Sequence, residues 1–600
     1  MTEEKRNRIR QWAWVIFCLV CAVVAYRGVL TADFIGFDDN LYVSQNRFVQ
    51  QGLSREGLRW AGSAIHASTW QPIVWVSYML DTSLQGFHPA SFHRTNLLLH
   101  LINIVLVFLL TRKISDNGIA AGVATMLFAI HPVHVESVAW IAERKGLLSM
   151  AFGCTSLLAY LAYAKSGKQR HYLAAGLSLM LGLMAKPMLI TLPLLFLLFD
   201  IWPTRRLERV SEIRTRGISL VTEKIPFFIL SFGSGLITSY AQYRGGSFLG
   251  LNTISLWSRI ANAALSLWRY IWHILFPVRL SVFYPHPGQW PLWLGLLALS
   301  ALLASAYALY RTCHKAPYAV WGIAWFVITL LPVLGFNQFG WHAMADRFLY
   351  LPALGLYLVV GLAFAHTFQQ HRLPVIGAGT LLVTLMLGQT QRQTGYWQDS
   401  IALFGRAVDV TRNNWVMHNS LGTALSHAGH YSEATQHFER SLELNPDNPK
   451  VWFNLGHIRF VQERWDEAAS HFEQSLALAP NYQARYNLAV THTRRGALQE
   501  AREAYLILLE SHPHHIPSLL NLGRLYRDEG KYSQALACYR LVKRLDPENQ
   551  QARTGIAIAM LATADDPMPA IAELINLLDE DASNVDAREA LNRAIHGDDR

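Results

Sequence analysis

Through roughly the first 390 residues, apolar runs such as 97–110, 188–201 and 292–309 recur with no polar face left for water. Runs of this kind leave nothing for water to solvate and point to a bilayer as the solvent. Beyond them the pattern changes to short apolar spacings among mixed charges. The pattern predicts an all-α chain: a polytopic helix bundle over residues 1–392, then a water-soluble helical region over 393–600.

The second region repeats itself. Leu421, Leu455, Leu488 and Leu522 recur in phase with Ala434, Ala468, Ala501 and Ala535. They are joined by Phe438, Phe472, Tyr505 and Tyr539, and by Pro446, Pro480, Pro513 and Pro547, each series stepping by 34, 33 and 34 residues. That is the tetratricopeptide period. Gly422, Gly456 and Gly523, with Ala489 in the third unit, stay small where two helices of a hairpin cross. Units are expected near 415–448, 449–481, 482–515 and 516–549, with a degenerate unit and cap over 550–600 and a preceding half-unit at 401–407. Such α-solenoids form a groove for extended peptide, so the array implies a protein partner.

Composition sharpens the membrane reading: only 16% of residues are charged, against about a quarter in soluble domains. A soluble single-domain enzyme and a disordered chain are excluded. The five cysteines form no spaced framework, which argues against zinc and disulfide scaffolds. The net charge of +10 falls in short Lys/Arg clusters between apolar runs, the habit of membrane topology and not of a nucleic-acid patch.

The apolar run at 12–29 lacks a small-residue cleavage site, so it is expected to be a retained first span. Lys5, Arg6, Arg8 and Arg10 then stay in the cytoplasm. Alternation puts Arg112 and Lys113, then Lys165, Lys168 and Arg170, then Arg205, Arg206, Arg209, Arg214 and Arg216 on the same side. Segment 257–276 carries Arg259 and Arg269 and is taken as a non-spanning amphipathic helix on the outer surface. The count is then about eleven spans, with the N-terminus inside and the repeats outside the plasma membrane. Loops 31–96, 131–146 and 185–187 face outward.

Candidate chemistry lies in those loops. Adjacent carboxylates Asp38 and Asp39 are costly to ionise together near an apolar boundary, which can tune one as a base; a loop pair or helix cap is the plainer reading. His131, His134 and Glu136 can hold a divalent metal or make hydrogen bonds to substrate, although Pro132 breaks any shared helical face. Arg144 and Lys145 lie outward against the positive-inside bias, as an anionic head group or phosphate would require. Asp346, Arg347 and Lys186 are edge charges whose plain alternative is a local ion pair. Trp70, Pro72, His93, Arg94 and Asn96 precede the second span, where aromatic and proline residues commonly anchor the interface.

The strings FDDNLYVSQN, TWQPIVWVSYML, SFHRTNLLLH, HPVHVESVAWIAERKGLLS, MAKPMLITLP and ADRFLYLP, followed by the repeats, resemble the TMTC family of transmembrane and tetratricopeptide-repeat O-mannosyltransferases. The resemblance runs along nearly the whole chain in the same order. It implies a C-type glycosyltransferase fold and inverting transfer of a sugar from a polyprenyl-phosphate carrier to protein Ser/Thr hydroxyls outside the membrane. No metal is required, though a divalent ion is compatible with it.

The resemblance further implies Asp38, or Asp39 beside it, as the base. Donor phosphate would fall to Arg144, with Arg347, Lys186 and Lys145, and sugar or acceptor positioning to His93, Arg94, His131, His134, Glu136 and Asp346. Two departures stand out: Glu143-Arg144-Lys145-Gly146 lacks a carboxylate after its arginine, and the later acid–arginine pair begins with Asp346 where the family often has Glu. Compact loops suggest a prokaryotic relative. Alternatives are a transferase acting on a lipid or glycan, and a non-catalytic membrane scaffold for envelope assembly.

Overall fold

The computed structural model describes residues 3–596 apart from 208–215, 247–249, 251–252, 337 and 339; Arg209 and Arg214 lie outside the described residues. It is almost wholly helical. The chain divides into two compact units, Met1–Ala424 and Leu425–Arg600.

Among the described residues of the first unit, seven helices are long and apolar enough to cross a membrane: Lys5–Thr31, Pro89–Ser115, Ile141–Ser166, Ile218–Arg244, Leu292–Thr312, Ala353–Gln370 and Arg372–Gly395. The pair Gly118–Ile130 and Pro132–Ala139, bent by 52°, makes an eighth if taken as one span. Pro187–Ile201 and Pro317–Val333 are shorter apolar helices. The bends have a local cause. A residue before proline is driven out of the α region, and His131 (ψ 131°) and Lys186 (ψ 130°) are both extended, each interrupting a helix at a Pro.

Helix Leu256–Leu275 is amphipathic, as expected, but its polar stripe faces inward. Ser258, Arg259, Asn262 and Ser266 are buried. Asn262 Nδ2 donates to the Ala343 carbonyl (2.9 Å) and the Arg259 guanidinium to that of Phe336 (3.0 Å). Leu256, Trp272 and Leu275 are exposed, the inverse of a helix on a water-soluble core. Ala343 belongs to strand His342–Met344, which pairs antiparallel with Tyr284–Pro285.

The membrane unit does not stop at residue 392, where hydropathy falls. Helix Ser400–Val410, read above as a half-repeat, packs on the loop that follows the first span. The Ser400 hydroxyl accepts from Gly36 N (2.8 Å), the Gln398 carbonyl accepts from Asp33 N (2.9 Å), and the Phe404 ring meets Phe37 edge-on. The Arg406 guanidinium donates to the Val278 carbonyl at 2.7 Å, and Asn414 Nδ2 to that of Phe283 at 3.2 Å. A chain ended at Gln391 loses all of these contacts. Hydrogen exchange over residues 31–46 is therefore expected to be faster in that truncation than in one ended at Asn414; equal exchange would show that the segment does not brace the loop.

The second unit holds the expected repeats as helix pairs, from Tyr431–Leu444 through Pro449–Val461 and Trp465–Leu478, Tyr482–Arg494 and Leu498–Ser511, to Ile516–Asp528 and Tyr532–Leu545. Helices Gln550–Leu561, Met568–Glu580 and Val585–His596 complete it. The small residues act as the period requires: a Cβ on Gly456 would come 2.8 Å from the Phe472 ring, and one on Gly523 2.8 Å from Tyr539.

Candidate active site

Four separate chain segments converge at one end of the helix bundle: the loop after the first span, the broken stretch 131–145, the break at Lys186 and the turn at Asp346–Leu349. Asp39 fastens the first to the second. It is fully buried, with Oδ2 accepting from Ile35 N (3.0 Å) and Oδ1 from Ala142 N (2.9 Å). Burial pushes its carboxyl up to about 7, although both amides lower it.

The folded protein therefore keeps Asp39 protonated to higher pH than an unfolded chain does, where the ordinary value is 3.8. Its contribution to stability falls as pH rises between those values and levels off above about 7. Thermal stability of the purified protein is expected to carry this slope, and Asp39→Asn to flatten it. An unchanged slope in the variant would assign the titration elsewhere.

Asp38 points elsewhere. Its half-buried carboxylate makes no hydrogen bond to the described residues, and its charge acts on Lys145 and Arg347. Those two cations and Lys186 surround Glu143. Lys186 Nζ lies 2.8 Å from Oε2, and Lys145 Nζ and Arg347 Nε lie 3.5 Å from Oε1. Arg347 also grips Glu136, through its guanidinium (2.5 Å) and its backbone amide (2.9 Å).

Aromatic faces line the cations. The Lys145 ammonium is 4.7 Å from the Tyr42 ring centre, Arg347 is 5.3 Å from Trp140, and Lys186 is 5.6 Å from Phe348. Side-chain exposures of 12%, 11% and 15% for Lys145, Lys186 and Arg347 leave each cation a small open face, while Glu143 at 1% lies beneath them. Three cations against Glu136 and Glu143 make a positively charged recess, and Asp38 stands at its edge.

Arg144 is a correction. It is fully buried and faces away from this recess, held by Asp81 (2.5 Å), the Asn96 side-chain oxygen (2.8 Å) and the carbonyls of Phe92 (2.8 Å) and Ser77 (3.3 Å). Four of its five N–H donors are taken and the guanidinium is sealed from solvent, so it anchors the start of helix Arg144–Ser166 and does not open on the recess.

The histidines and Asp346 also turn to protein partners. His131 Nε2 meets the Ile274 carbonyl (2.9 Å) and His134 Nε2 the Tyr357 hydroxyl (3.1 Å), while Glu136 is taken by Arg347. These three do not converge as metal ligands, and no group of three or more metal-binding side chains does so among the described residues. Asp346 accepts from the Tyr284 hydroxyl (2.6 Å) and pairs with His273 (2.7 Å), tying the turn that carries Arg347 to strand Tyr284–Pro285 and to helix Leu256–Leu275. His93 is buried on helix Pro89–Ser115, and Arg94 beside it is exposed.

Sequence reasoning passed over Asp81, Tyr42, Trp140 and Phe348. Asp81 carried a signal, since a lone carboxylate closing the apolar string IVWVSYML needs a buried partner. The aromatics carried none, because aromatic residues abound throughout this half.

Residues 73–221 match the family model described as dolichyl-phosphate-mannose-protein mannosyltransferase, and 417–448, 453–516 and 516–549 match tetratricopeptide-repeat models. Among curated relatives, protein O-mannosyl-transferase Tmtc1 of Drosophila melanogaster is 26% identical over 68% of this chain and 59% of its own length. Protein O-mannosyl-transferase TMTC4 of Homo sapiens is 25% identical over 69% of this chain and 64% of its own length. Tmtc2 of Drosophila melanogaster reaches 33% identity over 34% of this chain and 23% of its own. The chain thus spans less than two thirds of the length of these relatives.

Among solved structures, YrrB, titled a TPR protein with an unusual peptide-binding site, is 18% identical over 31% of this chain and 96% of its own, with a TM-score of 0.29. Apolar helices, a mannosyltransferase-type match within them and tetratricopeptide repeats after them make the chain a multi-pass membrane protein similar to the TMTC protein O-mannosyl-transferases.

Proposed function

We propose that this protein is a membrane glycosyltransferase that moves a hexose, mannose or a relative of it, from a polyprenyl-phosphate carrier to Ser/Thr hydroxyls of proteins. The observation that carries the reading is the unpaired Asp38 carboxylate facing a recess walled by Lys145, Lys186 and Arg347. An acceptor hydroxyl is too weak an acid to ionise beforehand, so its proton passes to Asp38 while its oxygen bonds to the anomeric carbon. The bond from that carbon to the phosphate oxygen breaks, and the departing phosphate keeps the electron pair. Its growing charge is met by the three cations, which need no reorganisation at that moment. Base and leaving group on opposite sides of the carbon give inversion.

Asp39 holds the loop in this reading. Glu136 and Asp346 orient Arg347, and His93, Arg94, His131 and His134 stay outside the recess. Charge alternation supports a cytoplasmic N-terminus, about eleven spans and extracytoplasmic repeats, with donor lipid reaching the recess from the bilayer. The repeats supply the protein acceptor. An open cavity of about 760 Å³ bordered by Lys450, Tyr482, Arg485, Ile507, Glu510 and His512 gives them room for an extended segment.

Comparison of envelope glycoproteins between wild-type and deletion strains tests this. Loss of hexose from Ser/Thr sites is the expected result. An intact glycoproteome with altered lipid-linked or free glycans would assign the transfer to a non-protein acceptor, and no change at all would favour a scaffold.

A further inference from the structure

Glu143 has no place in the chemistry just described, yet among the described residues it is the carboxylate that all three cations share. Its Oε2 is taken by Lys186 and its Oε1 by Lys145 and Arg347, which come from three different segments of the chain. Without it these like charges would stand close together in a partly desolvated space and drive one another apart. Its own position is fixed from behind. Arg144, the next residue, is locked by Asp81 and Asn96, so the one-turn helix Ile141–Glu143 cannot swing. The string Glu-Arg-Lys-Gly then has a division of labour, with Arg144 turned inward as anchor and Glu143 and Lys145 turned to the recess. Gly146 completes it: a Cβ there would sit 3.1 Å from Glu143 Oε2 and 3.6 Å from Lys186 Nζ, pressing on the pair.

We infer that Glu143 is a positioning residue that gathers Lys145, Lys186 and Arg347 into a single phosphate-binding face. The inference rests on the reading of the recess as the donor-phosphate site. It carries a sign that charge counting does not. Removing an anion from a cationic recess should tighten binding of another anion if only net charge matters. If Glu143 aims the cations, its removal lets them separate, and binding weakens. Glu143→Gln should therefore cost more affinity than Lys186→Met, which removes one cation and leaves the other two gathered.

The test uses the full-length protein in nanodiscs doped either with polyprenyl monophosphate or with the uncharged polyprenol, reading the ratio of the two affinities. A ratio is a property of the folded molecules and does not move with the yield of folded protein. The expected result is clear preference for the phosphate in wild type, at least tenfold loss of that preference in Glu143→Gln, and a smaller loss in Lys186→Met. With donor sugar attached, KM should rise and kcat should fall with it, because the same three cations meet the charge that grows on the departing phosphate. Should Glu143→Gln not fold, Glu143→Asp keeps the charge on a stem one methylene shorter and is expected to lose preference too. Unchanged or increased phosphate preference in a folded Glu143 variant overturns the inference. Absence of any preference in wild type overturns it together with the phosphate reading, whereas loss of preference in Lys186→Met with none in Glu143→Gln overturns the inference alone.

Discussion

Asp38→Asn is expected to lower turnover by roughly 100- to 10,000-fold, the range for loss of a single general base. The substitution keeps size and polarity, and Asp38 makes no side-chain hydrogen bond to the described residues, so folding and donor binding should survive. Asp39→Asn behaves differently. Its two oxygens each accept a backbone amide, and an Asn amide group would turn a donor towards one of them. A buried amide left without its acceptor costs about 1–3 kcal/mol. The loop should loosen, with a loss of activity that tracks lost stability. Purified variants assayed with polyprenyl-phosphate sugar and a Ser/Thr-rich acceptor, beside thermal unfolding, separate the two cases. A stable, inactive Asp39→Asn with a normal Asp38→Asn would exchange their roles.

Arg144→Ala is expected to destabilise the membrane unit by about 3–5 kcal/mol, because it strands the Asp81 carboxylate in the interior. Protein yield and melting temperature should both fall sharply. The paired change Asp81→Asn with Arg144→Met should recover much of the loss, since an uncharged pair needs no ionic partner. If Arg144→Ala melted like wild type and lost only donor binding, the arginine would have to reach the phosphate after all, and its observed hydrogen bonds would be incidental.

Which of two adjacent basic residues faces the recess could not be read from the string ERKG. Both look outward by charge parity, and the choice between them is made by Asp81 and Asn96, on helices Pro72–Gln85 and Pro89–Ser115. Long-range pairing of this kind leaves no local period. The repeats were legible for the opposite reason: each helix pair meets its neighbours through the same few positions, so packing is written every 34 or 33 residues. Charge alternation likewise grouped the loops bearing Asp38, Lys145 and Lys186 on one side, and the helices bring those loops into contact. Hydropathy misplaced the boundary at 392 because it measures what a segment avoids. Ser400, Phe404 and Asn414 are polar or isolated enough to pass for soluble chain, yet their partners lie in the membrane unit.

The bracing of Asp33 and Gly36 by Gln398 and Ser400 also sets where related proteins can be recombined. A hybrid joined at the hydropathy boundary would carry a foreign brace beneath its own Asp38, and the proposed base would then be aimed by residues selected for another partner. A seam placed beyond Asn414 keeps the brace and Asp38 from the same parent, and under the proposed function such a hybrid would exchange the repeat array, and with it the acceptor, without disturbing the proposed base.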